Sequence, residues 1–447
     1  MNKNNKKLEL LAPAGSVEKM KYAFAYGADA VYAGVPDFSL RARINDFNWN
    51  SLKEGVEYAH SLGKKFYVTL NIYAHNSHLK KLEKDLDELK KVGADAVLIS
   101  DPGILELVKE KLPEIEIHLS TQANATNWRA VKFWADQGIR RVVLAREVTL
   151  EEIREIKKNV PDVELEYFVH GAMCMSYSGR CMLSKWMRGR SANLGDCVQP
   201  CRWAYKKVQN EKREVQNEEG KIRSDEDGVK VMNVIDHQGE FEMEVEEDKQ
   251  GTYFFNSKDL NLLSYLKDLA DAGVESFKIE GRNKSAYYLA VVVRAYFRIM
   301  NYESRIKNGK EKKKYEEVLK EEMDNLNSLF HRGYTAGFLL GNEPEHNFEN
   351  SHDNPQWEFV GEIIADANQQ MNANLQITEV KPHNAIYLDD EIEIIDQNGN
   401  HPVKLEKIFN ENMEEVSSAH GGQGKNYFLQ IDKKDIQPFS LIRKKIK

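Results

Sequence analysis

All four cysteines of this 447-residue chain, Cys174, Cys181, Cys197 and Cys201, fall within 28 consecutive positions. Their spacing is C-x6-C-x15-C-x3-C. Four thiolates can close a tetrahedral zinc site or hold the four irons of a cubane cluster. Structural zinc usually takes paired C-x2-4-C knuckles, and only the second pair approaches that pattern. A cubane tolerates irregular spacing, so the pattern favours a 4Fe-4S cluster, with zinc second and four unrelated buried thiols third. Met173, Met175, Met182, Tyr177, Trp186 and Trp203 interleave the ligands and would give such a centre a dry surround. Cys174 with His170 could instead be a nucleophile and its base, but nearness in sequence is a weak argument beside a common ligand role. The chain has neither H-E-x-x-H nor G-x-S-x-G.

Charge is distributed unevenly around these cysteines. The net charge is -8, yet residues 208–250 alone carry 14 acidic and 6 basic side chains. Between 180 and 207, Arg180, Lys185, Arg188, Arg190, Arg202, Lys206 and Lys207 face only Asp196. A solvated surface is the bland reading of such a run. The sharper one is a surface for phosphates, with Arg180, Lys185, Arg188, Arg190 and Arg202 as RNA-binding candidates.

These residues need a scaffold. Short apolar runs recur at 8–12, 30–34, 65–71, 95–100, 116–120, 141–145 and 164–169, with amphipathic helical patterns between them. YGADAVYAG and VGADAVLIS repeat one junction, in which a glycine ends a helix and a buried strand follows. An eighth strand is expected at ESFKIEG, 275–281. Eight βα units favour a (β/α)8 TIM-like barrel, with chemistry at the C-terminal ends of the strands. The cysteines then lie in a long insertion, about 170–255, after strand seven. From Trp357 onward six short alternating runs suggest a small all-β domain, barrel or sandwich. The expected division is a barrel domain over 1–342, a linker over 343–356 and the β domain over 357–447.

On such a barrel, polar residues collect at strand ends. Arg41 and Arg43 follow strand two, Asn71 ends strand three, and His118 and Gln122 flank the end of strand five. His170 follows strand seven, and Lys278, Glu280 and Arg282 close strand eight. Arginine forks suit carboxylates, so Arg41, Arg43, Asn71, Gln122 and Arg282 are candidates for binding a small anionic ligand. His118, His170, Lys278 and Glu280 are the catalytic candidates.

The segments LLAPAGS, GADAVYAG, HLSTQANATN, VHGAMCMSYSGRCMLS, GDCVQPCRW, FNSKDL and FKIEGRNKS extend over most of residues 8–340. Together they resemble the collagenase-like peptidase U-32 family, and within it the prephenate-dependent tRNA 5-hydroxyuridine modification proteins. The resemblance implies that Cys174, Cys181, Cys197 and Cys201 ligate an iron–sulfur cluster and that prephenate, a dicarboxylate, is a co-substrate. It also implies tRNA as the partner, with C5 of the wobble uridine hydroxylated, and a paired relative or homo-oligomer as a further association. Two alternatives stand beside this: a peptidase acting on proteins, and a zinc-stabilised RNA-binding protein. No run reaches the roughly 18 apolar residues of a membrane helix, and the N-terminus has no long apolar stretch, so a cytoplasmic protein is expected.

Overall fold

The computed structural model describes residues 8–36, 38–39, 46–173, 176–177, 180–194, 196–203, 205–207, 230–236, 242–248, 251–252, 257–303, 309–341, 356–364, 377–433 and 435–446. Eight parallel strands form the first domain: β1 Glu9–Pro13, β2 Ala30–Gly34, β3 Lys65–Leu70, β4 Ala96–Ile99, β5 Glu116–Leu119, β6 Arg141–Val143, β7 Glu164–Ala172 and β8 Val274–Ile279. They pair in sequence order, and β8 pairs with both β7 and β1, so the sheet closes into the expected barrel. Six helices alternate with the strands: α1 Val17–Ala25, α2 Trp49–Ser61, α3 Asn76–Val92, α4 Pro102–Lys111, α5 Trp128–Asp136 and α6 Leu150–Asn159.

The helix starts on the barrel's upper rim are capped by side chains. Ser16, Asn48, Asp101, Asn127 and Thr149 each accept hydrogen bonds from the first-turn N–H groups of α1, α2, α4, α5 and α6. These donors have no partner within the helix, and each cap is worth about 1 kcal/mol. Thr149 and Glu152 do this reciprocally.

The lower lumen is filled by charge as well as by hydrocarbon. Arg141 on β6 reaches Glu9 on β1 at 2.5 Å and Glu164 and Glu166 on β7 at 3.0 and 3.2 Å. Tyr67 donates to Glu9 at 2.7 Å, and Ser276 donates to Glu9 and Glu166. Lys278 lies 2.5 Å from the fully buried Glu166. Burial alone would raise the Glu166 carboxyl, but the Lys278 and Arg141 cations outweigh it and hold the group below its usual range.

One expectation about β7 is corrected. The strand runs through Ala172 rather than stopping at 169, so His170 is a strand residue. The chain then returns as an antiparallel strand, Asp259–Asn261, which pairs with β7 and with Tyr334–Thr335. The cysteine-bearing insertion therefore leaves from and comes back to one strand. It includes helix α7, Leu183–Arg188, and an antiparallel sheet built from Tyr205–Lys207, Lys230–Asp236, Glu242–Asp248 and Gly251–Thr252.

After β8 come α8, Ala286–Glu303, and α9, Gly309–Asn327. The expected linker 343–356 lies outside the described residues except for Gln356. The C-terminal domain is an eight-stranded antiparallel sheet with a two-stranded ribbon. All six expected runs hold strands, and the fourth is divided, its Val403 ending one strand, Gly399–Val403, and Leu405–Phe409 forming the next. Among the described residues no strand pairing closes this sheet into a barrel. Its own core includes Val360, Val380, Ile394, Ile408 and Leu429, whereas Ile395 and Leu441 pack into the core of the first domain. Tyr26 at the end of α1 donates to the carbonyls of Ile395 and Phe439, and the fully buried Arg294 on α8 donates to Asn400 at 2.8 Å.

Removing one member of a buried ion network strands the others. Arg141→Met is expected to lower the unfolding free energy by about 3–5 kcal/mol, measured by urea denaturation. A loss below about 1 kcal/mol would show that the three carboxylates do not depend on Arg141.

Candidate active site

The upper ends of the strands form a polar mouth. Arg282, just beyond β8, donates to Thr69 on β3 at 3.3 Å and approaches Ser39, beyond β2, at 3.5 Å. Its position depends on two glycines. A Cβ on Gly34 would meet Ser39 Oγ at 1.9 Å and Arg282 Nη1 at 3.1 Å, and one on Gly15 would meet the Arg282 carbonyl oxygen at 2.3 Å. The glycines of AVYAG and LAPAGS thus clear the space in which Arg282 lies.

Across the mouth, Asn71 donates to Ser120 at 3.2 Å, Ser120 donates to Gln122 at 3.1 Å, and Ser100 donates to the Asn71 carbonyl at 3.0 Å. Tyr73 closes this network on the Gln122 carbonyl. Burial raises the Tyr73 phenol above its usual value, opposed by the nearby Arg180 guanidinium. That interaction puts the start of the insertion beside the β3 end of the mouth. Arg146 pairs with Glu280 and lies 4.1 Å from the Phe168 ring centre. Arg146 Nε, Glu147 Oε2 and Asn124 Oδ1 are buried without a hydrogen-bond partner. Unsatisfied polar atoms at a strand-end cleft fit a polar ligand that completes them.

Lys278 forms the floor. Its ammonium sits 4.4 Å from the Tyr32 ring centre and 5.5 Å from that of Phe168, above its pairing with Glu166. Burial lowers its proton affinity and the Glu166 carboxylate opposes that.

The candidates therefore separate. Asn71, Gln122, Lys278, Glu280 and Arg282 converge on the mouth. His118 does not: it is fully buried below, 2.8 Å from Glu116, with its ring against Tyr67. Burial holds its imidazole below the usual range, with Glu116 opposing. His170 is turned outward to α8, where Nδ1 lies 3.3 Å from the Tyr296 hydroxyl. Burial pushes its pKa down from 6.5 to about 3. Arg41 and Arg43 lie outside the described residues. Tyr32, Thr69, Ser100 and Phe168 were missed. Thr69 and Ser100 stand at strand ends and Tyr32 and Phe168 in mid-strand, and the alternation of positions facing the lumen is the signal that could have found them.

In the insertion, Cys181, Cys197 and Cys201 are unbridged and partly buried, and Cys174 lies outside the described residues. Among the described residues no three His, Cys, Asp or Glu side chains converge as a metal site. The local framework nonetheless suits a thiolate-bound group. The Gln199 N–H donates to Cys197 Sγ at 3.3 Å, and the Val198 N–H donates to Ser184 at 3.1 Å, tying the second cysteine pair to α7. An amide aimed at a sulfur stabilises negative charge there. Arg180 and Lys185 are exposed, as are Tyr177 and Trp186 at 60% and 66%. Arg188 covers Trp203 at 5.1 Å, and Arg190 is tied to Asp196 at 2.6 Å, which withdraws it from the phosphate-binding set. The Arg202 side chain is outside the description.

The fold and mouth define a parallel-barrel protein with a cysteine-bearing insertion and an appended antiparallel β domain. Residues 15–349 match Peptidase family U32 and residues 355–443 match the Peptidase family U32 C-terminal domain, and the chain belongs to this family. It is 44% identical to tRNA hydroxylation protein P of Haemophilus influenzae, over 95% of this chain and 93% of that one. It is 41% identical to the protein of the same name from Escherichia coli, over 93% and 92%. A relative named Collagenase, from Porphyromonas gingivalis, is 30% identical over 76% and 75%. Among the described residues no helix is long and apolar enough to cross a membrane.

The buried His170 makes stability depend on pH. Its folded pKa, about 3, lies below the ordinary 6.5. The unfolded chain therefore takes up this proton first. Stability from the neutral ring is complete above about pH 6.5 and is lost as pH falls toward 3. His170→Asn should flatten the decline in stability between pH 6 and 4 by about 1 kcal/mol per pH unit, read as the difference in urea midpoints between variant and parent. Parallel pH profiles would refute a neutral, desolvated His170.

Proposed function

We propose that this chain is an RNA-modifying enzyme that hydroxylates C5 of the wobble uridine in tRNA, with prephenate as a co-substrate. What carries this reading is the similarity, over 95% of the chain, to a relative named for tRNA hydroxylation. The chemistry of the mouth supports it. A dicarboxylate needs cationic forks in a partly dry setting; Arg282 is one at the rim of the mouth, and Arg146 would serve as a second by exchanging its pairing with Glu280 for the ligand. The bonded Asn71, Ser120 and Gln122 set presents amides already fixed in direction. Tyr32 and Phe168 keep water from Lys278. Glu166 pairs with that lysine and fixes its position on the floor.

Cys174, Cys181, Cys197 and Cys201 would hold a 4Fe-4S cluster, which supplies a redox centre when bound. Zinc on the same thiolates is the less favoured metal. The exposed Tyr177 and Trp186 beside Arg180 and Lys185 give bases a stacking surface and phosphates a cationic one.

The family description and the collagenase relative favour a second reading, cleavage of protein substrates. Neither described candidate histidine serves a nucleophile at the mouth, since His118 is bonded to Glu116 and His170 to Tyr296.

The test is the nucleoside content of tRNA incubated with anaerobically purified protein and prephenate. The parent should add one oxygen to the wobble uridine, and Cys181→Ser should lose this activity and the iron and sulfide together. Retained hydroxylation in the serine variant would sink the cluster assignment. Proteolysis without RNA that survives the same substitution would favour the peptidase.

Gly34→Ala probes the mouth separately. The new methyl group must displace Ser39 or Arg282. Prephenate binding measured by calorimetry should weaken about tenfold, while the unfolding free energy falls by no more than an overpacking cost of about 1–3 kcal/mol. Unchanged affinity would show that ligand binding does not depend on the side-chain arrangement packed against Gly34.

A further inference from the structure

The loop that follows β8 serves two cavities. Arg282 faces the mouth, and Lys284, two residues later, lines a separate cleft between the barrel and the C-terminal domain. The Cα atoms of these residues are at most about 7 Å apart, so cleft and mouth are neighbours on the same rim. The cleft has a volume of about 690 Å³, within the roughly 300–1,000 Å³ of ligand-binding cavities.

Its walls are aromatic and come from both domains. Tyr287 and Tyr288 belong to the first turn of α8, Phe330 follows α9, and Trp357 and Phe359 belong to the first strand of the C-terminal domain. Tyr287 and Phe359 stack at 5.1 Å with their planes 15° apart, which ties the two sides together. The guanidinium of Arg443 lies 4.3 Å from the Trp357 ring centre. Phe330 is 61% exposed, an unusual place for a large apolar ring. The Tyr287 hydroxyl is buried with no hydrogen-bond partner.

The cleft carries charge of both signs, with Lys444 shared between Glu358 and Asp390 at 3.5 Å each. Lys284 holds its ammonium 4.8 Å from the Tyr288 ring centre. Glu358 is the acidic residue of the lining. Flat apolar faces beside a lysine match one chemical unit well, a planar heteroaromatic ring carrying a phosphate.

We infer that this interdomain cleft holds an unpaired nucleobase of the RNA substrate, flanking the nucleotide at the mouth, with Lys284 on its phosphate. The inference rests on the RNA-modification reading above. It gives the C-terminal domain a direct part in substrate recognition, because two of the five aromatic residues of the wall come from its first strand.

The experiment compares parent, Phe330→Ala and Lys284→Gln, all full-length, binding an unmodified tRNA transcript at several salt concentrations. Phe330 is exposed, so its truncation leaves the fold intact. Each variant should bind about five- to a hundredfold more weakly, and Lys284→Gln should also reduce the salt slope by about one. A transcript lacking the base next to the wobble uridine, on the side that fills the cleft, should weaken the parent by a similar factor. It should add little further loss in Phe330→Ala. Parent-like affinity in both variants, with hydroxylation intact in the parent, would overturn the cleft assignment and leave the functional reading standing. The cleft would then serve a peptide or a small metabolite. A parent that neither binds nor modifies tRNA would overturn both.

Discussion

The closure of the barrel depends on one buried set of charges. Arg141 enters the lumen from β6 and meets carboxylates from β7 and, across the barrel, from β1. Ser276 of β8 donates to Glu9 and Glu166, two of the same carboxylates. Desolvating such groups is expensive, and the expense is offset only when every partner is in place. Because lumen-facing side chains alternate along a strand, a slip of one residue in β1, β6, β7 or β8 would turn a partner outward. We regard the network as a device for register more than a net source of stability.

The mouth inherits its geometry from this floor. Glu166 belongs to the network and also fixes Lys278, which lies two residues above Ser276 on β8. Two residues further, Glu280 engages Arg146, and two more bring Arg282 to Thr69. One strand and its extension thus carry the floor, the wall and the rim of the site. The glycines at 15 and 34 let the rim close because no side chain stands where Arg282 runs.

Much of this was legible in the sequence. The repeated GADAV junctions and seven apolar runs gave the strand order, and FKIEGR placed Lys278, Glu280 and Arg282 correctly at the mouth. The misplacement of His170 has a specific cause. The pairing of β7 with β8 shifts register between Lys278 and Ile279, opposite Phe168 and His170. Glu166 and Phe168 reach groups of the lumen, but after the shift His170 meets Tyr296 on the outer layer. Strict alternation, the only guide available in sequence, assigns it to the wrong side. His118 was misjudged differently. It does lie inside the barrel, but one layer too low, because strand-end position was read from a polar run that begins before the strand ends. Arg190 looked like a phosphate ligand until Asp196, six residues on, proved to be its partner.

The aromatic wall of the interdomain cleft was illegible for a topological reason. Tyr287, Phe330 and Trp357 are far apart in sequence, and only the docking of the C-terminal sheet against α8 and α9 brings them together. That docking also clarifies how a small barrel mouth could serve a large RNA. Arg180 acts on Tyr73, beyond β3, so the insertion borders the mouth near that strand. Lys284 leads away from β8, which is separated from β3 by β1 and β2. Two basic and aromatic surfaces therefore stand at different points of one rim. An RNA strand held at both would carry the nucleotide between them past the mouth. Positioning a polymer then requires little from the mouth itself, which is left free to be shaped for the small anion.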